Sequence, residues 1–278
     1  MEKNMLTVTV LDAIKNSDGC LLCYLWLKAE TRLMEHLLTN EVVMDSGFRE
    51  RVIAAKGFCN RHMHLLYKTA YGGSTENGLG YALYMQDIVK RFVEQIGAVN
   101  LDSLPRLEVS AKSSVIIHRR RMRKAFLGLR AALERVLRGE KTCPACESLW
   151  SSDQIHLHTI VQMLDDKNFG EEFKASKGLC LLHTIAAIQM ISQSKLKNPV
   201  NATQILIEVS MNRFRLVEHY LSEFIRKQSW DYRNEPPGPE VNANVMVLNI
   251  VAGVNGLYHP CYKTFPKCGS EGEYNARE

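Results

Sequence analysis

Four short segments carry residues able to do chemistry: Cys20-Leu-Leu-Cys23, Cys59-Asn-Arg-His62, Cys143-Pro-Ala-Cys146 and Cys180-Leu-Leu-His183. A CxxC pair brings two sulfurs onto one ion, because the two intervening residues form a tight turn. Cysteine and histidine at i and i+3 project from one face of a helix, so CxxH can supply two further ligands. Together they make Cys3His, a donor set that closes a tetrahedral zinc site at about 2.3 Å for sulfur and about 2.0–2.1 Å for nitrogen. Two zinc ions are expected, on Cys20, Cys23, Cys59 and His62 and on Cys143, Cys146, Cys180 and His183. Each site would carry one net negative charge, which Lys56, Arg61 and Lys177 partly offset. The same donors suit an iron–sulfur cluster or a thiol redox pair, and the spacing does not separate these from zinc. The plain alternative is a set of small buried cysteines packing a helical core.

The surroundings of these segments recur with them. Lys56-Gly57 matches Lys177-Gly178, and Phe48 precedes Cys59 by the same eleven positions as Phe169 precedes Cys180. Acidic residues lie upstream in both, Asp45 in one and Asp165 and Asp166 in the other. Such self-similarity marks an internal duplication. Residues 1–99 form the first repeat, 100–114 a polar linker with Pro105, 115–233 the second repeat, and 234–278 an irregular tail rich in Asn, Gly and Pro.

The elements that must position the donors are helices. Leu21, Leu25, Ala29, Leu33 and Leu37 recur at every fourth position among charged residues, the pattern of an amphipathic helix. Further helices begin at His62 and His183. A long one closes each repeat, in LGYALYMQDIVKRFVEQIG and TQILIEVSMNRFRLVEHYLSEFIRKQ. TVTVL near the start and VMVL near the end are short enough to be strand or helix. The expected class is all-α: a tandem duplicated helical repeat, each unit organised around its own CxxC…CxxH site. A helix of ~17 residues after Cys23 travels about 25 Å, so the chain has to reverse near Thr39-Asn40 and Asp45-Ser46-Gly47 to close that site. The second repeat has its reversal at Asp165 to Gly170. An exchange, in which the CxxC of one repeat meets the CxxH of the other, satisfies the same donor chemistry.

Composition adds limits. Apolar residues make up 46% of the 278 and charged residues 23%, enough for a buried core and too apolar for a disordered chain. The start, MEKNMLTVTVLDAIKN, lacks the features of a secretory signal, and the longest apolar run, Val245 to Leu257, is broken by Asn249, Gly253 and Asn255. A cytoplasmic protein with no membrane partner is the expectation. In that compartment eight cysteines read as metal ligands or redox groups more readily than as disulfides.

His118 to Lys141 holds nine Lys and Arg against Glu134 and Glu140, while the whole chain is only +5. Met122, Phe126, Leu129, Leu133 and Leu137 form an apolar stripe along it, so it reads as an amphipathic helix with a basic outer face. Arg119, Arg120, Arg121, Arg123, Lys124 and Arg130 are candidates for binding a polyanion such as nucleic acid. A solvated face that also balances the thiolate site starting at Cys143 is the favoured reading, because only one aromatic is interleaved and no reader motif is present. His64, His156 and His158 are candidates for supporting or acid–base roles, against the simpler reading of surface or packing histidines. Cys261 and Cys268 read as free thiols of the tail. No HExxH, GxSxG or P-loop is present, so no residue is assigned to catalysis and a non-enzyme is favoured.

On the two CxxC segments, GFCNRH at Gly57 to His62, GLCLLH at Gly178 to His183 and DYR at Asp231 to Arg233, the chain resembles an uncharacterised bacterial and archaeal family. That family is a domain of unknown function with tandem CxxC…GxCxxH helical repeats. The likeness runs from about Asp18 to Arg233 and makes the eight Cys and His donors the defining positions, without implying a reaction. The resulting reading is a metal-binding helical protein, held by structural zinc, that acts as a binding or scaffold module for a protein or polyanion. An iron–sulfur or thiol redox protein using the same cysteines is the alternative.

Overall fold

Among the described residues every regular element is helical. The computed structural model describes residues 4–72, 78–99, 115–139, 141–232 and 234–254, and among them there is no strand. Twelve α-helices follow in order: α1 (Met5–Asn16), α2 (Leu21–Leu37), α3 (Asn40–Met44), α4 (Ser46–Ala54), α5 (Asn60–Gly72), α6 (Leu79–Gly97), α7 (Val115–Leu137), α8 (Pro144–Met163), α9 (Lys167–Ala175), α10 (Leu181–Gln193), α11 (Pro199–Arg226) and α12 (Ala243–Val251). TVTVL, ambiguous in sequence, lies in α1, and VMVL lies in α12.

Local sequence explains the starts. Asn4 accepts from the Thr7 backbone N–H at 2.9 Å, while the Thr7 hydroxyl accepts from the Asn4 N–H at 3.0 Å, a reciprocal cap on α1. The acidic residues flagged upstream of each CxxH also do capping work. Asp45 accepts from Gly47 N–H to start α4, and Asp166 accepts from Asn168 and Phe169 N–H to start α9. Asp165 instead receives the Lys197 and Asn198 N–H groups at the turn before α11.

The helices gather into two compact units, and neither is one sequence repeat. The first holds the described residues of 1–31 and 149–254; the second holds those of 32–148. The division falls inside α2 and inside α8. In the second unit Met34, Leu37, Val43, Phe48, Val52, Phe58, Leu66, Tyr84 and Ile88 form one core. There Tyr84 donates its hydroxyl to the Leu37 carbonyl at 2.8 Å, and the Arg49 guanidinium grips Asp87 through two bonds of 2.7 and 2.8 Å. In the first unit Leu21, Leu22, Ile160, Val161, Phe173 and Leu206 are all buried. Truncating a side chain such as Phe173 to alanine there costs on the order of 3–5 kcal/mol.

The tail departs from expectation at its start. Residues Pro239–Asn242 form a 3₁₀ turn, and α12 packs on α10 and α11. Ala243 and Ile250 are buried, which gives this segment an apolar reason to dock. Lys227 at the end of α11 donates to Glu240 at 2.8 Å, and Gly238 N–H donates to the same carboxylate oxygen. Cys261, Cys268 and the linker 100–114 lie outside the described residues.

Candidate metal centres

Each of the eight donors sits at the mouth of a helix. Cys20, Cys59, Cys143 and Cys180 immediately precede α2, α5, α8 and α10. Their carbonyls accept from Tyr24, Met63, Glu147 and Thr184 N–H at 3.0, 2.9, 3.0 and 2.8 Å, the first hydrogen bond of each helix. Cys23, His62, Cys146 and His183 then fall three residues on, in the first turn, beside the preceding cysteine. Helix N-termini carry partial positive charge, so this placement favours thiolate over thiol at all four openings.

The donors assemble into two clusters: Cys20, Cys23, Cys180 and His183 in the first compact unit, and Cys59, His62, Cys143 and Cys146 in the second. The expectation that each repeat closes its own site is therefore corrected. The CxxC of one repeat meets the CxxH of the other. The reason is that α2 and α8 do not double back: each begins in the unit that holds its CxxC and ends in the other, so the CxxH that follows lies in the unit the helix enters and not beside its own CxxC. A backbone bond from Leu21 N–H to the Gly178 carbonyl at 3.0 Å fixes the exchanged pairing in the first unit.

The loop glycines make the approach feasible. Gly57 and Gly178 have φ of +101° and +63°, and a Cβ there would come within 2.9 Å of Met63 Cε and 2.5 Å of Val209 Cγ1 respectively. The left-handed backbone favours glycine at both positions, and at Gly178 the short Val209 side chain adds a lack of room. Lys56 itself holds φ +60° where α4 ends, with Gly57 N–H bonded to the Val52 carbonyl at 2.8 Å.

Within each cluster the four donor atoms lie within 4.8 Å of one another. His183 Nδ1 stands 3.2, 3.6 and 3.2 Å from the sulfurs of Cys20, Cys23 and Cys180. His62 Nδ1 stands 3.2, 3.6 and 3.3 Å from those of Cys59, Cys143 and Cys146, and the Cys59 and Cys146 sulfurs are 3.7 Å apart. A tetrahedron with zinc bond lengths has edges of about 3.6 Å between nitrogen and sulfur and about 3.8 Å between sulfurs. The donors fit one ion each, so either cluster can hold a metal.

Electrostatics point the same way. Burial acts to raise the Cys20 thiol, but hydrogen bonds from Cys180 and Cys23, with the His183 imidazole alongside, hold it well below the ordinary thiol range. Cys23 moves the opposite way, kept protonated by its bonds to Cys180 and Cys20 and by burial. Cys59 is lowered by bonds from Cys143 and Cys146, whereas Cys146 is raised by bonds to Cys143 and Cys59. One thiolate forms readily in each cluster and the next meets its repulsion. A cation at the centre removes that conflict.

The two centres differ in cover. Cys20, Cys23, Cys180 and His183 are all buried, whereas Cys59, Cys143 and Cys146 are each partly exposed around a buried His62. Three neighbours of the buried centre went unnoticed in sequence. The Asp153 carboxylate, fully buried, lies 3.8 Å from His183 Nε2, placing a carboxylate behind the nitrogen that does not face the sulfurs. Arg213 on α11 feels the charges of Cys20, Cys180 and Cys23, although burial lowers its own pKa, and its guanidinium donates to the Lys177 carbonyl. Gly253, just past α12, has φ +78°, and a Cβ there would lie 3.5 Å from Cys23 Sγ and 3.8 Å from Cys180 Sγ. An acid seven residues after a CxxC was the only available cue for Asp153; Arg213 and Gly253 had none.

A family match covers residues 1–243 and so includes all eight donors. The chain belongs to DUF6062, a family of unknown function. The DUF6062 match ends at the first residue of α12, so Gly253 and most of that helix lie beyond the matched residues. No curated protein and no solved structure matches the chain.

The other candidates are scattered. Exposed His64 and half-buried His156 stand outside both donor sets, and His158 lines an open depression of about 480 Å³ with Asn4, Thr7 and Lys197. Arg120, Arg123, Lys124 and Arg130 are exposed on α7, and Arg130 pairs with Glu134 at 2.6 Å. The side chains of Arg119 and Arg121 lie outside the described residues. Among the described residues no helix is long and apolar enough to cross a membrane.

Proposed function

We propose that this DUF6062 protein is a zinc-held helical scaffold, with one structural ion in each Cys3His cluster and its working surface outside the metal centres. The observation that carries the reading is the donor spacing. Four donor atoms within 4.8 Å of one another match the span of a single tetrahedral ion, which favours one zinc in each set over a cluster of irons and sulfides. Cys20, Cys23, Cys180 and His183 would hold one zinc and Cys59, His62, Cys143 and Cys146 the other. Full Cys3His sets leave no open ligand position, which favours a structural over a hydrolytic role. The exchange supports an internal duplication whose halves are interlocked, so the ions contribute directly to folding.

A second reading, thiol redox chemistry, draws on one observation: the partial exposure of Cys59, Cys143 and Cys146. Metal content by plasma mass spectrometry, with an absorption spectrum, on protein purified without oxygen decides between them. Two zinc per chain and no visible absorbance is the expected result. Iron with charge-transfer bands would overturn the zinc assignment. A colourless protein that reversibly forms a Cys59–Cys146 disulfide would transfer the second centre to the redox class.

A further inference from the structure

The basic helix α7 buries a face that overlaps only in part with the one its sequence advertises, sharing Met122 and Leu129 with it. Met122, Ala125, Leu129, Ala132 and Val136 are its partly covered positions, and the groove where it meets α6 is lined by Leu129, Ala132 and Val136 with Ala98 and Val99. At 100° per residue these five span one narrow arc. Phe126, Leu133 and Leu137 of the expected apolar stripe stay outside it, 53%, 37% and 67% exposed. They form a row at i, i+7 and i+11. Arg123 and Arg130 border that row on the side away from α6, and exposed Arg120, Lys124 and Leu127 follow around the helix. Over Val115–Leu137 the sequence has seven Lys and Arg against Glu134 alone, a net +6 on a chain whose total is +5.

We propose that this face of α7 docks on an anionic phospholipid surface, lying in the interface and spanning nothing. A row of Phe and Leu bordered by Arg and Lys is the composition of a helix that inserts its apolar edge at the headgroup boundary and neutralises acidic lipids with its flank. Charge alone suits nucleic acid equally. The apolar row decides, because a phosphate backbone gains nothing from exposed leucines, and Phe126 is a single ring where single-strand binders array several. The sequence-based expectation of no membrane partner rested on the lack of a spanning segment, which this mode does not need.

The test uses full-length protein, metal as purified, in co-sedimentation with phosphatidylcholine vesicles made with and without phosphatidylglycerol. Binding only to the anionic vesicles, weakened by salt, is the expected result. Arg120→Gln, Arg123→Gln and Lys124→Gln together should weaken it on the order of 100-fold. Phe126→Gln, Leu133→Gln and Leu137→Gln together should weaken it at least about tenfold. All six positions are exposed, so helicity and metal content stay at wild-type values, and the outcome is independent of the zinc reading. Failure to bind anionic vesicles overturns the proposal. So does an apolar variant that binds as well as wild type, or RNA that binds more tightly than the vesicles.

Discussion

His183 and Cys20 are 163 positions apart in the chain, and Nδ1 of one stands 3.2 Å from Sγ of the other. Each metal centre therefore draws on both halves of the sequence, which makes the pairing testable by counting ions. Cys20→Ser combined with Cys180→Ser removes two donors from one cluster and is expected to leave about one zinc per chain. Cys20→Ser combined with Cys59→Ser takes a donor from each and is expected to leave almost none. Sites closed within single repeats would reverse the two results. Plasma mass spectrometry of the soluble, folded fraction reads the difference.

Asp153 stands behind His183 at 3.8 Å with both side chains fully buried. At that distance the carboxylate acts on the ring through its charge rather than a hydrogen bond, raising ligand basicity without touching the ion. Asp153→Asn keeps the shape and removes the charge, and is expected to lower zinc affinity at the buried centre by about 10–100-fold. Competition with a chromophoric chelator should show one weakened site and one unchanged, a pattern that general destabilisation would not give.

How much of this was legible beforehand follows from what each signal encodes. The donors and the helices that present them were readable, because CxxC, CxxH and the period of Leu21, Leu25 and Leu37 are local facts about neighbouring residues. Which CxxC meets which CxxH was not, since Cys3His chemistry is satisfied either way and only the destinations of α2 and α8 decide. Asp45 and Asp166 were visible as acids near the sites, but their role as helix caps depends on backbone N–H groups that composition does not show. The buried face of α7 was read only in part, at Met122 and Leu129, because Ala125, Ala132 and Val136 are smaller than Phe126 and Leu133, and packing against α6 favours small residues. The helix at Ala243–Val251 was hidden by the Asn, Gly and Pro around it, and its docking depends on contacts with α10 and α11.

Gly253 places backbone against Cys23 and Cys180 with φ +78°. A methyl group there would meet the two sulfurs at ordinary contact distance, so the cost of Gly253→Ala is the left-handed backbone, about 1–2 kcal/mol. Beyond that loss of stability, metal release from the buried centre should quicken, because the segment covering it is the one strained. Thermal unfolding gives the first quantity and chelator-driven release gives the second. A variant that loses stability but releases metal at the wild-type rate would show that α12 does not cover the centre.

The same segment has an acid-sensitive anchor. Glu240 is pulled down to about 2, first by the hydrogen bond from Lys227 and then by backbone donors including Gly238 N–H. The sign follows from a depressed folded-state value: the stabilisation is complete above the ordinary 4.5 and fades as pH falls from there through about 2. Glu240→Gln is therefore expected to unfold more readily than wild type at neutral pH. The gap between their denaturant midpoints should narrow once pH drops below 4.5. A gap that stays constant down to pH 3 would mean that the carboxylate charge contributes nothing.

Cover separates the two centres kinetically. Cys20, Cys23 and Cys180 are buried, whereas Cys59, Cys143 and Cys146 keep part of their surface in solvent. Chelators and alkylating agents need access to sulfur, so the Cys59 centre is expected to surrender its ion first, with the buried centre following only as the fold opens. Release should be biphasic with equal amplitudes. Mass spectrometry after brief alkylation should find label on Cys59, Cys143 and Cys146 before Cys20, Cys23 or Cys180. Mild denaturant should accelerate the slow phase far more than the fast one, because only the slow phase requires opening of the first compact unit. Release of both ions in a single phase would show that the two centres open together, and partial exposure would then carry no consequence for the exchange of metal.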